Sequence, residues 1–531
     1  MSSLTSMPCL QAAPPSSTMK YFKLILTLLT LLLAACTQTA TVPSDFARED
    51  RLPTLYPDYP GVTVPCNIAP LNFAIEEEAD DYVTRFTTRQ GQWVIGGQSV
   101  LIDPSDWQAM KQDGDIKVEV FCAKDNRWTL LKPFTIHVSG DSIDPYISYR
   151  LISPSYVTYE NLTLNQRCLE NFDESLLYGN MINTNEQNGQ CINCHNYQAH
   201  NPERMQFHVR QHKGGTVICY DGKVEKVDMK YPGGISAGVY PAWHPTLPLI
   251  VYSTNRTGQT FHTFDTQKIE VQDTYSDLIL YDVERHEILP LERDTNDLDC
   301  FPHWDPAGRY LYYCSAHYEQ RDSSKSKEMD LIEHYQEVHY NLYRRSFDAE
   351  NRTFGARELV YDCGDSCSAT LPRVSPDGRY LLFTLGQYGV FHIWHKSSDL
   401  YLMDLQARTT RPARELNSPD VESYHSWSSN GKWIIFSSRR YDGNFTRPFM
   451  AHLNADGTFT RPFELPQENP RYHQEFLRSY NVPEFMTGPV TVRPQQLAAV
   501  VAGDSVKATL SPKSAIQPDA VTAATSQASA E

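Results

Sequence analysis

Between residues 241 and 438 an apolar run preceded by a turn signal returns four times. Pro241-Ala242-Trp243-His244-Pro245 leads to Leu249-Ile250-Val251-Tyr252-Ser253, and Pro302-His303-Trp304-Asp305-Pro306-Ala307-Gly308-Arg309-Tyr310 leads to Leu311-Tyr312-Tyr313-Cys314-Ser315. Pro372-Arg373-Val374-Ser375-Pro376-Asp377-Gly378-Arg379-Tyr380 leads to Leu381-Leu382-Phe383-Thr384, and His425-Ser426-Trp427-Ser428-Ser429-Asn430-Gly431-Lys432-Trp433 leads to Ile434-Ile435-Phe436-Ser437-Ser438. Pro presets φ, Asp caps its own backbone and Gly accepts positive φ, so each segment makes a turn into an apolar inner strand. Further strands, such as Leu278-Ile279-Leu280-Tyr281 and Leu400-Tyr401-Leu402-Met403, complete each unit. One such sheet cannot bury both faces alone, so neighbours stack radially into a β-propeller. The spacings from Trp243 through Trp304 and Val374 to Trp427 are 61, 70 and 53 residues, which places variable loops on a constant core.

These four units, with their Ser-Pro-Asp-Gly-Arg-Tyr core at Ser375 to Tyr380, resemble the TolB-like propeller repeat over about residues 235–470. Strands at 145–165 and 215–230 supply further blades, so the expectation is a propeller over 144–485 with six blades, five or seven being the alternatives. Short alternating segments at Gln92 to Ile95, Ile116 to Cys122 and Phe134 to Val138, separated by Gly, Pro and Asp, predict a small β-sandwich over 61–143. The fold class is therefore all-β. Residues 37–60 read as a tether. Residues 486–531 are rich in Ala, Val, Ser, Thr, Pro and Gln and contain no aromatic residue, and so read as a disordered tail.

The N-terminus carries an address. Met19-Lys20-Tyr21-Phe22-Lys23, the apolar stretch Leu24 to Leu33 and Ala34-Ala35-Cys36 form a signal-peptide pattern, with Met19 as the start. The apolar stretch is too short to span a bilayer. Leu33-Ala34-Ala35-Cys36 resembles the bacterial lipobox, which implies acylation of Cys36 after removal of the preceding residues; ordinary signal cleavage is the alternative. No acidic residue follows Cys36 before Asp45, which favours an anchor in the outer membrane facing the periplasm. The chain of 531 residues holds 47 Lys and Arg against 64 Asp and Glu, a formal charge of −17. That balance, without a basic block, argues against a nucleic-acid partner.

The segment expected to carry chemistry is Cys191-Ile192-Asn193-Cys194-His195, the C-x-x-C-H signature of covalent c-type haem. On this reading Cys191 and Cys194 attach one haem c, and His195 is the proximal iron ligand. The segment is expected in an insertion at about 166–214. Met205 and His208 are the first candidates for the distal ligand, with His200 and His212 behind them, and Arg204 and Arg210 are candidate propionate partners because guanidinium matches carboxylate geometry. The alternatives are a metal site with ligands drawn from Cys168, His200, His208, His212 and Cys219, or a plain disulfide. A propeller with an embedded C-x-x-C-H also resembles a set of exported Bacteroidales-type proteins, a likeness that extends to Asn67-Ile68-Ala69-Pro70-Leu71-Asn72-Phe73 and supplies no settled reaction.

Eight further cysteines are candidates for disulfides in an oxidising compartment: Cys66 with Cys122, Cys168 with Cys219, Cys300 with Cys314 and Cys363 with Cys367. Three functions compete. The first is a lipid-anchored periplasmic monohaem protein that transfers single electrons or senses redox state with the propeller as a docking platform for redox or envelope proteins. The second is a non-catalytic scaffold that binds envelope proteins or peptides. The third is a haem peroxidase-like enzyme. A hydrolase is disfavoured because no G-x-S-x-G elbow is present.

Overall fold

The computed structural model describes residues 40–153, 161–184, 189–263, 267, 269–291 and 294–514. The signal pattern, the lipobox with Cys36 and residues 515–531 lie outside the described residues.

Six blades of four strands account for the propeller among the described residues. Blade 2 consists of Gln190–Gln198, Asn201–Gln211, Gly215–Tyr220 and Lys223–Asp228; blade 3 of Val239–Trp243, Leu249–Phe261, Ile269–Asp282 and Glu287–Pro290. Blade 4 runs Asp297–Trp304, Tyr310–His317, Asn341–Asp348 and Thr353–Tyr361, and blade 5 Ser368–Val374, Tyr380–Gly386, Asp399–Asp404 and Thr409–Pro412. Blade 6 is Glu422–Trp427, Trp433–Ser438, Arg447–His452 and Phe463–Glu464. Blade 1 closes the ring from both ends of the domain: Tyr146–Ile152, Thr163–Cys168 and Glu174–Gly179 receive Ser479–Met486 as their innermost strand. Each innermost strand contacts the next around the axis. The expected turns are present: Gly308, Gly378 and Gly431 have φ of 67°, 74° and 67°, and Asp305 Oδ1 accepts from the Arg309 and Tyr310 amides at 2.6 and 2.8 Å. The Trp of the repeat joins blades, since Trp304 Nε1 donates to the Ala242 carbonyl and Trp427 Nε1 to the Arg373 carbonyl, both at 3.1 Å.

The innermost strands share a second feature that does not depend on the turn. Each contains a bulge at which one non-glycine residue has positive φ: Cys194 (55°), Tyr240 (48°), Phe301 (51°), Leu371 (53°), Tyr424 (46°) and Val482 (50°). The hydrogen-bond register shifts around each of these positions. A positive φ at an L-residue costs about 1–2 kcal/mol, and the bulge re-aims the following side chains toward the axis.

In the N-terminal domain a seven-stranded mixed sheet and a three-stranded sheet share one core with the helix Pro104–Lys111. That core is continuous with Trp433, Ile435, Met450 and Phe463 of blade 6. Residues 40–60 of the expected tether are in fact part of this domain. Ala47–Arg48 pairs with Thr129 and Leu130 in parallel, and Tyr59 is fully buried. The tail expectation is likewise corrected for residues 486–514. Helix Pro494–Ala502 buries Leu497 and Val501 against blades 1 and 2, Val506–Lys507 pairs with Val227 and Asp228, and Thr509–Leu510 pairs with Glu287 and Ile288. The segment covers the outer edges of blades 2 and 3, whose unpaired N–H and C=O groups otherwise face solvent. Aliphatic residues suffice for this, so the lack of aromatics was a misleading cue.

Candidate functional site

The C-x-x-C-H segment lies in the innermost strand of blade 2, not in an inserted loop. Residues 190–228 form that blade completely, and Thr163–Cys168 and Glu174–Gly179 are strands of blade 1, so the expected insertion at 166–214 is corrected. Cys194-His195-Asn196-Tyr197 occupies the bulge in register with Tyr240-Pro241-Ala242-Trp243, Phe301-Pro302-His303-Trp304, Leu371-Pro372-Arg373-Val374, Tyr424-His425-Ser426-Trp427 and Val482-Pro483-Glu484-Phe485. The residue after the positive φ is Pro in four blades and His in two.

Part of this placement suits a haem. In favour, His195 Nε2 is buried without a hydrogen-bond partner, and burial together with Arg150 lowers the imidazole pKa to about 3, so the ring is neutral. The rest of the geometry opposes it. Cys191 packs against the cluster containing Leu164, Tyr178 and Met205, whereas Cys194 is buried beside the Tyr240 backbone, where burial pushes its thiol pKa up. The two sulfurs therefore face different neighbours instead of one porphyrin edge. The cavity that touches Cys194 and His195 measures about 40 Å³, while cofactor sites occupy roughly 300–1,000 Å³.

The candidate distal ligands fare no better. Met205 is fully buried and pairs with Tyr197 and Cys219; His208 pairs with Asn193, and its Nδ1 meets Thr216 Oγ1 at 3.0 Å. Both lie on the strand hydrogen-bonded to the one bearing His195, and neighbouring strands about 4.8 Å apart leave no slot for a macrocycle. Arg204 is committed to Asp221 at 2.7 Å and stacks on Tyr220. Arg210 is exposed and lines a separate groove with His208 and Lys230. Cys191, Cys194 and His195 do not fit a covalent haem in this fold.

The metal alternative places Cys168 in blade 1 and His208 and Cys219 in blade 2, and no cluster of three or more His, Cys, Asp or Glu suited to a metal occurs among the described residues. The ten described cysteines are all free thiols. Two expected pairs are nevertheless brought together: Cys300 lies opposite Cys314, whose Sγ donates to the Cys300 carbonyl at 3.3 Å, and Cys367 Sγ donates to the Cys363 carbonyl at 3.7 Å. Cys66 and Cys122 contact different neighbours, as do Cys168 and Cys219.

The bulges build a different site on the axis. The six positive-φ residues, with Tyr240 and Phe301 ring centroids 4.6 Å apart, form an apolar floor around the 40 Å³ void. Above it opens a pocket of about 310 Å³. Its wall is the ring of side chains two positions after each positive φ: Asn196, Ala242, His303, Arg373, Ser426 and Glu484, in order around the axis. The residues at the next position, among them Trp243, Trp304 and Trp427, line it further out. Arg373 and Glu484 flank Ser426. Burial pushes the Glu484 carboxyl above its usual range, opposed by Arg373 and His200, and burial likewise lowers Arg373, which stays cationic. Arg373 Nη1 donates to the Pro372 carbonyl at 3.2 Å, and Glu484 Oε1 accepts from Asn196 Nδ2 at 3.4 Å. His303 is kept neutral by burial and by Arg373.

The other end of the channel is covered. The long hairpin of blade 3 carries Ile269 and Val271 into the cluster that holds Phe301, Leu371 and Phe391, and Glu270 Oε2 meets His395 Nε2 at 3.3 Å. Nearby, Asp273 takes hydrogen bonds from Asn255 at 2.6 Å and Thr257 at 2.7 Å, with its pKa raised by burial to about 6. Asp299 is raised by burial to about 7. The folded protein thus holds a proton on Asp299 between about pH 4 and 7 where the unfolded chain has lost it, so this group's contribution to stability falls as pH rises through that window. Thermal melts from pH 4.5 to 8 are expected to show a shallower decline for Asp299→Asn than for the natural chain, and parallel curves would contradict the assignment.

No protein family matches the chain, and no curated protein matches it. Solved structures do. The chain is similar to TolB from Acinetobacter baumannii at 13% identity and a TM-score of 0.40, over 72% of this chain and 85% of that one. A hypothetical selenium-binding protein from Sulfolobus tokodaii matches at 7% identity and a TM-score of 0.38, over 66% and 96% of the two chains. A puromycin-hydrolysing peptidase from Mycobacterium tuberculosis matches at 9% and 0.31, over 59% and 46%. The chain is an all-β protein whose described residues form a six-bladed propeller.

Proposed function

We propose that the protein is a non-catalytic propeller scaffold that binds peptide segments, including those of envelope proteins, in its axial pocket. The observation that carries this reading is the ring of Asn196, Ala242, His303, Arg373, Ser426 and Glu484 around a pocket of about 310 Å³ whose apolar floor narrows to a void of about 40 Å³. Concave sites of this volume with a few convergent polar groups in an aromatic wall suit ligand binding. The redox reading is not carried forward, because it needs a porphyrin on Cys191, Cys194 and His195. Anchoring of the mature chain through Cys36 in the outer membrane remains part of the proposal and would present the pocket to the periplasm.

Panning a phage-displayed peptide library on the immobilised protein tests the reading. Enrichment of a common sequence is expected, with binding lost when His303→Trp fills the pocket in a protein whose circular dichroism is unchanged. Absence of enrichment, or enriched peptides indifferent to His303→Trp, overturns it. The same preparation, made in a host that matures c-type cytochromes, is expected to be colourless and to show no haem mass; a Soret band lost on Cys191→Ala would restore the redox reading.

A further inference from the structure

We infer that the axial pocket holds a short peptide with both termini free, a zwitterion of about dipeptide size; this rests on the axial pocket being a binding site and names its ligand class. Four features lead there. Below the ring the packed rings of Tyr240, Phe301 and Phe391 narrow the channel to a void of about 40 Å³, too small for a chain to thread through, so a ligand enters as an end. A volume of about 310 Å³ lies at the small end of ligand sites.

The third feature is electrostatic. Arg373 and Glu484 lie at the same level of the ring on either side of Ser426, both half-buried in the pocket wall. Opposite charges in such a setting are expensive to keep apart. Here Arg373 spends one donor on the Pro372 carbonyl and Glu484 one oxygen on Asn196. The remaining guanidinium face matches a carboxylate, and the remaining carboxylate oxygen matches an ammonium group. A simple anion would be drawn to Arg373 and repelled by Glu484, and a simple cation the reverse. A molecule bearing both charges satisfies each. The fourth feature is the opposite wall, where Ala242, Pro241, Pro245 and Trp243 offer an apolar surface for the ligand's side chains.

Isothermal titration with alanyl-alanine, N-acetyl-alanyl-alanine, alanyl-alaninamide and alanine tests the inference. Free alanyl-alanine is expected to bind about tenfold or more tightly than either blocked form, the size of a lost charge-assisted hydrogen bond. Arg373→Met should abolish discrimination against the C-terminal amide alone, and Glu484→Gln discrimination against the N-acetyl form alone. Arg373→Lys should recover part of the preference for the carboxylate, which separates charge recognition from a folding defect. Blocked forms that bind as tightly as the free dipeptide, or no response to either variant, overturn the zwitterion while leaving a peptide pocket. Failure of all four compounds also overturns it, and the library experiment then decides whether the pocket takes longer segments.

Discussion

Cys194→Pro is expected to unfold blade 2, whereas His195→Pro, one residue on, should leave the protein folded. The native φ of Cys194 is 55°, and proline locks φ near −65°, so the bulge cannot form and a loss of about 3 kcal/mol or more follows. At His195 the reverse holds. Four other innermost strands carry proline at the matching place, Pro241, Pro302, Pro372 and Pro483, and the ladder pairs neither Cys194 nor His195. The substitution should change stability by no more than about 1 kcal/mol, since a compatible proline mainly restricts the unfolded chain. Urea unfolding followed by far-ultraviolet circular dichroism measures both. A destabilised His195→Pro protein would show that the C-x-x-C-H segment is not an ordinary inner strand, and would return the imidazole to the list of functional groups.

Trp433→Ala is the second large effect expected. Trp433 is fully buried in the cluster that the N-terminal domain shares with blade 6, its Nε1 donates to the Asp141 carbonyl at 3.3 Å, and its ring meets His452 edge-on at 4.8 Å. Truncating a side chain of this size in a core costs about 3–5 kcal/mol. Because the cluster belongs to both domains, the loss should appear in the unfolding of both. Site-specific probes on Trp107 and on blade 6 should report coincident, weakened transitions. A shift under about 1 kcal/mol, or a weakened blade 6 beside an unaffected Trp107 probe, would contradict a shared core.

Four blades were legible because the Pro-Asp-Gly-type turns between their first two strands are written within a few residues, as at Ser375 to Tyr380 and Asp305 to Tyr310; the apolar runs expected as inner strands are in fact the second ones, Leu249–Phe261, Tyr310–His317, Tyr380–Gly386 and Trp433–Ser438, because the strand before each turn lies on the axis. Two inner strands lack that turn and were not recognised. In Gln190–Gln198 the cysteines are the stronger local pattern, and the closing Ser479–Met486 borders the aromatic-free C-terminal stretch. A signal existed in both: Val482-Pro483-Glu484-Phe485 and Cys194-His195-Asn196-Tyr197 each place an aromatic residue three positions after the bulge, as Tyr240 to Trp243 does. The tail helix was missed because Leu497 and Val501 look unremarkable until the outer faces of blades 1 and 2 are present to bury them.

Local sequence alone determined that this chain is all-β, that most of it is a β-propeller, and where the turns fall, because φ preferences of Pro, Asp and Gly and the burial of short apolar runs act over a few residues. Tertiary structure decided what the motifs mean. Ring closure set the blade number by bringing Ser479–Met486 to Tyr146–Ile152. It turned the C-x-x-C-H segment into one of six equivalent bulges and gathered Arg373 and Glu484, 111 positions apart in sequence, around one pocket. Radial packing brings residues distant along the chain to a common axis, and no local pattern encodes which side chains meet there.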